Sequence, residues 1–191
     1  MGHLYTKTGD TGTTGILGGE RVSKADYRID ALGALDEANA ALGWAISTLN
    51  DQNASSLIIN FKEELIRIQH ELFELGAALA SPFPIKPLCT RAERINELET
   101  LIDQYHGNAP SIQAFILPGG GATGAALHLA RTIIRRAERR LVILQSVFSI
   151  ETSILTFVNR LSDLLFASAR WINAYQDVPE HVWQTKSSTD V

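Results

Sequence analysis

The sequence predicts an all-α fold, a five-helix bundle with a glycine-rich N-terminal arm, and three observations predict it. Ile58, Phe61, Leu65, Ile68, Leu72, Leu75 and Leu79 recur three and four residues apart through three heptads, the seam of a helix packed against near-parallel neighbours. No segment offers a convincing strand pattern. Residues 5 to 24 hold Gly9, Gly12, Gly15, Gly18 and Gly19 among threonines and cations, a composition that cannot build a core but suits a loop around phosphates.

In chain order, the arm (residues 1–25) comes first. Glycines let backbone N–H groups turn toward an anion, threonine hydroxyls add short donors, and Lys7, Arg21 and Lys24 supply countercharge. After Asp26, Leu32, Leu35, Leu42, Ile46 and Leu49 take up helical spacing. The seam of 58–79 forms the second helix. Ser81 to Pro87 is a loop, because three prolines remove donors and bar helix. Thr90-Arg-Ala-Glu93 reads as a capping box for a shorter helix to about His106. Residues 107–118 connect, and the Gly119-Gly-Gly121 run opens a helix over about 122–145. The last helix runs from about Glu151 to Tyr175, closing the bundle at 26–175, and the polar tail of 176–191 is expected to be mobile without a ligand or neighbour.

At 191 residues and 45% hydrophobic content the chain suits one domain spanning 1–191. A net charge of −4 argues against nucleic acid as a partner, since a phosphate backbone demands a broad basic face. Cys89 is the only cysteine, so no intrachain disulfide or cysteine metal cluster forms, in keeping with a reducing compartment. No apolar run reaches the roughly 18 residues of a membrane span, and the arm begins too early to leave room for a signal peptide. The expected location is the cytoplasm.

The penultimate helix concentrates charge: Arg131, Arg135, Arg136, Glu138, Arg139 and Arg140 lie within ten residues. At about 100° per residue, Arg131, Arg135 and Glu138 fall within roughly 60° of one another, on the flank of the stripe Ala130, Ile133, Ile134, Ala137, Leu141 and Leu144. Guanidinium groups beside a core seam need an anionic partner, either a triphosphate or a carboxylate. Arg136 and Arg140 point to the opposite side and read as solvated. On the last helix Asn159 and Asp163 share a face with Phe166 and Arg170, as ligand contacts or as interhelical hydrogen bonds. Asn39 falls inside the first helix's stripe, with Asp36 at its edge, free to pair with an arginine of another helix or subunit.

Two literal motif matches fail. Gly119-x-Gly121-x-x-Gly124 mimics a dinucleotide fingerprint, but Pro118 precedes it and no parallel-sheet units surround it. The arm lacks the Gly-Lys-Ser/Thr ending of a Walker loop. The five histidines show no metal-ligand spacing, so no protein-bound transition metal is expected.

Taken together, Tyr5-Thr-Lys-Thr-Gly-Asp10-x-Gly12, Gly33-Ala-Leu-Asp-Glu37, Leu117-Pro-Gly-Gly120, Arg131-x-x-x-Arg135-Arg-Ala-Glu138-Arg and Asn159-Arg-Leu-Ser-Asp163 resemble the propanediol-utilisation type of ATP:cob(I)alamin (corrinoid) adenosyltransferase across nearly the whole chain. The resemblance implies a ferritin-like five-helix bundle that assembles as a homotrimer with sites between subunits. It assigns ATP binding to Thr6, Lys7, Thr8, Gly9, Thr14, Lys24, the segment Arg135, Arg136, Ala137, Glu138 and Arg139, and Asn159. Arg131, Arg135, Glu138 and Asp163 match catalytic or site-organising positions. Asp36 matches a carboxylate that pairs with the Arg131 position across the subunit boundary, and Phe115 an aromatic residue against the lower face of the corrin ring.

The implied activity is transfer of the 5′-deoxyadenosyl group of ATP to the cobalt of a reduced corrinoid, with Mg²⁺ accompanying ATP and triphosphate leaving. A corrinoid reductase and an adenosylcobalamin-dependent enzyme are the implied further partners. The competing reading is a non-catalytic carrier that delivers adenosylcobalamin to a mutase, but a carrier would not need the Lys/Thr/Gly arm.

Overall fold

A computed structural model describes residues 5–49, 54–82 and 87–184. Its helices are α1 (Tyr27–Ser47), α2 (Ser56–Ala80), α3 (Ala92–Gly107), α4 (Ala122–Val147) and α5 (Thr152–Tyr175). All five expected helices are present. The proline-rich loop falls largely on 83–86 and the last tail residues on 185–191, outside the described residues.

Local chemistry fixes the starts of α1 and α2. The Asp26 carboxylate accepts from the Arg28 amide at 2.8 Å and the Ser55 hydroxyl from the Ile58 amide at 3.4 Å, each satisfying a donor that the first turn leaves free. The capping box expected before α3 does not form. Thr90 belongs to a 3₁₀ turn (Leu88–Thr90), where its hydroxyl donates to the Pro87 carbonyl, and Arg91 occupies the cap position without a side-chain bond.

The helices close into a ring in the order α1, α2, α3, α5, α4. Asn39 and Gln69 exchange side-chain to backbone bonds of 3.1 Å between α1 and α2. Arg94 joins α3 to α2 through Glu64 and Glu71. Arg160 reaches Glu99 from α5 to α3, and α4 packs between α1 and α5. An odd ring cannot alternate direction throughout, so one neighbouring pair must run parallel. That pair is α3 and α5, where Glu99 meets Arg160 and, further along both chains, Tyr105 meets Trp171.

The seven seam residues of α2 are all buried. Full burial of one such side chain is worth roughly 1.5–3 kcal/mol relative to exposure. At one end of the core Phe61, Tyr105 and Trp171 stack edge to face or tilted, with ring centres 4.9 to 5.6 Å apart, and tie α2, α3 and α5 together.

Two outcomes differ from the sequence reading. The arm contains a short antiparallel pair, β1 (Thr13–Gly15) with β2 (Arg21–Ser23). Arg21 braces it, donating to the Thr8 and Thr13 carbonyls and to the Thr13 hydroxyl. The beginning of the tail is also held: Val182 forms an antiparallel bridge with Ile116, and the Leu117 amide donates to the His181 carbonyl at 2.8 Å.

Candidate functional site

The flank where α4 meets α5 carries four of the predicted charged residues, Arg131, Arg135, Glu138 and Asp163. Glu138 on α4 accepts a 3.0 Å bond from the Asn159 side-chain amide on α5, and Arg160 donates to the Asn159 oxygen at 2.9 Å. These bonds fix which end of the Asn159 amide faces α4. One turn along α5, Asp163 is exposed. Arg131 lies with its guanidinium 5.8 Å from the centre of the Phe166 ring, and its Nε is buried without a hydrogen-bond partner among the described residues. Burial, followed by the like charge of Arg135, pulls the Arg131 pKa below its ordinary value. Neither Arg131 nor Arg135 makes an ion pair among the described residues. Arg131 is part-buried and Arg135 exposed, so the cost of the uncompensated charge falls on Arg131, and an anion beside it would relieve that cost.

Other members of the run face elsewhere. Arg136 turns to α1 and pairs with Glu37, and Arg140 pairs there with Asp30 at 3.0 Å, so the two arginines read as solvated are half-exposed ion pairs. The Ala137 side chain is wholly inside the core. Arg139 is exposed and donates to the Arg135 carbonyl one turn back.

His128 received no role from the sequence. It sits one turn before Arg131, its ring centre 5.9 Å from that of Phe166, with Nδ1 buried and unpartnered among the described residues. Burial, with Arg131 and Arg170 adding like charge, lowers its pKa to about 4, so it is neutral at pH 7. Only its place one turn from Arg131 could have marked it.

The arm lies on another flank. The Leu17 amide donates to the Ala80 carbonyl at the end of α2, and Leu17 lines a cleft of about 530 Å³ between α1 and α2 together with Asp36, Asn39 and Phe73. Within the arm the Thr6 and Thr8 hydroxyls bond at 2.8 Å, and Lys7 adopts a left-handed φ of 59°. The Lys24 ammonium lies so near Gly9 that a Cβ there would be 3.2 Å from Nζ. Thr14 sits in β1, paired with Val22. Asp36, exposed beside this cleft, faces away from the α4/α5 groove and makes no ion pair among the described residues. One chain therefore presents the arm and Asp36 on one flank and Arg131 and Arg135 on another.

Phe115 belongs to a third region, beside the N-terminal end of α4. It is 80% exposed, its carbonyl accepts from the Trp183 amide at 2.7 Å, and the two rings meet edge to face at 6.4 Å. Next to it opens a cleft of about 730 Å³ lined by Ile112, Ile116, Arg170, Glu180 and Val182. Val182 and Trp183 belong to the tail that the sequence marks as polar, and nothing in their spacing assigned them a function.

The glycine run before α4 has a structural explanation. The Asn173 side chain, fully buried, accepts from the Gly121 amide and donates to the Gly119 carbonyl, each at 3.1 Å. Cβ atoms at Gly120 or Gly124 would overlap it. Of the three glycines in the literal dinucleotide pattern, Gly124 is the one whose Cβ Asn173 excludes, while Gly119 and Gly121 offer it backbone groups.

Five helices around one core, with an arginine pair on one flank that makes no ion pair among the described residues and a lysine- and threonine-bearing glycine arm on another, define a class of all-α bundle with cationic groups on two flanks. Sequence comparison specifies the class further: the cobalamin adenosyltransferase family profile matches residues 4–172, and the chain belongs to that family. It is 45% identical to a corrinoid adenosyltransferase of Bacillus subtilis over 171 residues, 90% of this chain and 86% of that protein. It is 40% identical to the human corrinoid adenosyltransferase MMAB over 174 residues, 88% of this chain and 68% of that one. A solved structure of a PduO-type ATP:corrinoid adenosyltransferase variant from Lactobacillus reuteri, complexed with cobalamin and ATP, superposes with a TM-score of 0.85 at 38% identity, covering 96% of this chain and 100% of that chain. No helix among the described residues is long and apolar enough to cross a membrane.

Proposed function

We propose that this protein transfers the 5′-deoxyadenosyl group of ATP to the cobalt of a reduced corrinoid, forming a cobalt–carbon bond and releasing triphosphate. The observation that carries the reading is the pair Arg131 and Arg135, adjacent cations on the flank of the apolar stripe of α4 that make no ion pair among the described residues. In this reaction cobalt(I) supplies the electron pair to the 5′-carbon, and the bond from that carbon to oxygen breaks with its electrons going to triphosphate. Charge develops on the leaving group, so alignment and cationic stabilisation matter more than acid–base work.

Lys7 and Lys24 of the arm and Arg131 and Arg135 of the groove share that stabilisation. Thr6, Thr8, Gly9 and Thr14 add donors along the phosphates, and Glu138, held by Asn159, orients the nucleotide or its ion. Arg136, Ala137 and Arg139 complete the nucleotide-binding segment of α4, with Ala137 contributing no exposed side chain. Glu138 and Asp163 are the carboxylates of this flank that would help to hold the Mg²⁺ accompanying ATP. Bound there, it supplies countercharge to the triphosphate. The exposed ring of Phe115 offers an apolar wall that excludes the lower axial ligand of the corrinoid.

The separation of arm from groove supports a site completed between copies of this chain. The surface bearing the arm and Asp36 meets the surface bearing Arg131 of a neighbour, and because the two surfaces differ, the contact is head-to-tail, which gives a ring where the rotation closes. A homotrimer is that ring, with Asp36 pairing with Arg131 of the neighbouring subunit. We read residues 1–191 as one catalytic unit acting in the cytoplasm, fed by a corrinoid reductase and emptied by an adenosylcobalamin-dependent enzyme.

An anaerobic assay with ATP, Mg²⁺ and chemically reduced cobalamin tests this reading by following loss of cobalt(I) absorbance and formation of triphosphate. Arg135→Ala should lose at least about 100-fold in turnover while remaining folded, the scale expected when a donor to developing charge is removed. Absence of triphosphate with wild-type protein would refute the enzymatic reading and leave a carrier in its place.

A further inference from the structure

A single guanidinium at the end of α5 ties together the two segments that display Phe115 and Trp183. We propose that Arg170 is a positioning residue for the corrinoid side of the reaction, acting through Glu180 and Pro110 to hold the Phe115 and Trp183 rings in place. The inference rests on the reading of Phe115 given above.

Arg170 is only 2% exposed, yet its head reaches the two segments that leave the bundle. Its Nε donates to a Glu180 carboxylate oxygen at 3.0 Å, and one terminal nitrogen donates to the Pro110 carbonyl at 2.6 Å. Asp177, at a left-handed φ of 54°, turns the chain back after α5, and the Val178 amide is captured by the Asn173 carbonyl at 2.8 Å. Residues 110–118 and 177–184 then run side by side through the Ile116 and Val182 bridge and the bonds to the Leu117 and Trp183 amides.

A ribbon this short is not stable alone. Neither Phe115 nor Trp183 is buried, so core packing does not set their orientation, and backbone pairing must. That pairing is anchored where Arg170 grips both segments. A planar fork demanding two acceptors fixes register more tightly than apolar packing would. The clamp is not optimised for stability: the other terminal nitrogen of Arg170 and the second oxygen of Glu180 are buried without hydrogen-bond partners among the described residues. Incomplete pairing of a buried ion pair costs stability, and a positional role accounts for its presence.

The test compares Glu180→Ala and Arg170→Gln with wild type and with Phe115→Ala, in the full chain. Amide hydrogen exchange reports the ribbon directly. In both clamp variants the Leu117 and Trp183 amides should lose protection while the α2 and α4 amides keep theirs. The KM for reduced corrinoid should rise at least about 10-fold and the KM for ATP stay within about twofold, a split that general destabilisation would not produce. If Arg170→Gln does not fold, Glu180→Ala, which alters a tail residue, decides. Unchanged exchange in Glu180→Ala, an unchanged corrinoid KM, or equal rises in both KM values overturns the proposal. Phe115→Ala separates the two layers of the argument. A normal corrinoid KM in that variant overturns the reading of Phe115 and the clamp's purpose with it. A raised KM there with a normal one in Glu180→Ala overturns the clamp alone.

Discussion

Asn173 and Gly124 occupy a single space: the asparagine side chain fills the place where a Cβ at position 124 would stand, while its amide bridges Gly119 and Gly121. Gly124→Ala should therefore destabilise the fold by roughly 1–3 kcal/mol, the scale of overpacking in a close-packed interior. Gly121→Ala should cost less, because its nearest obstacle is the flexible end of Gln176, at 3.1 Å. Thermal unfolding of the two variants gives the comparison, and equal melting temperatures would contradict it.

The proposed division of the site between subunits predicts complementation. Lys7→Ala removes an arm cation and Arg135→Ala a groove cation, so each homotrimer should be nearly inactive. When the two are unfolded together and reassembled at equal amounts, random mixing gives about a quarter of the sites an intact arm facing an intact groove. Activity should recover to about that fraction of wild type. No recovery from a mixed trimer would indicate that both groups act within one chain.

His128 makes stability depend on pH. Its pKa is about 4 in the fold against an ordinary 6.5, so between those values the unfolded chain binds the extra proton. The contribution is fully present above about pH 6.5 and is lost as pH falls toward 4. Urea unfolding should show a loss of about 2 kcal/mol from this group between about pH 7 and pH 5, with the total limited to about 3 kcal/mol. His128→Leu should flatten that part of the profile, and an unchanged slope would show that the fold does not lower the pKa of the histidine.

Arg94 is the counterion of two carboxylates on α2. It bonds to Glu71 at 2.6 Å and 3.0 Å, and burial pushes the Glu71 carboxyl up although Arg94 pulls it down. Arg94→Ala leaves both Glu71 and Glu64 without their main partner and should destabilise by about 3–5 kcal/mol. Glu71→Gln should cost much less, since the amide oxygen still accepts from the guanidinium. Denaturant midpoints measure both.

The parts of the molecule legible in the sequence are those set by local periodicity. Ile58 through Leu79 announce α2 because each seam residue is buried by the same repeat that spaces it. The flank shared by Arg131, Arg135 and Glu138 was legible for the same reason, since helix geometry alone puts them together. What escaped depends on partners far along the chain. The strand at Thr13–Gly15 is only three residues long and is braced by Arg21. The start of the tail is held in part by Arg170, whose two acceptors lie 10 and 60 residues away. The reason for the glycine run before α4 escaped because Asn173, which bonds to it, lies 52 residues from Gly121.

The arm and the arginine groove lie on different flanks of one chain, so on the head-to-tail reading a lone subunit contains no complete site. Dilution then acts as an inhibitor. Below the concentration at which the ring dissociates, the rate should fall more steeply than in proportion to protein, although each chain remains folded. Saturating ATP, which would bridge arm and groove, should shift that threshold to lower concentration, so that the substrate helps to assemble the catalyst that consumes it.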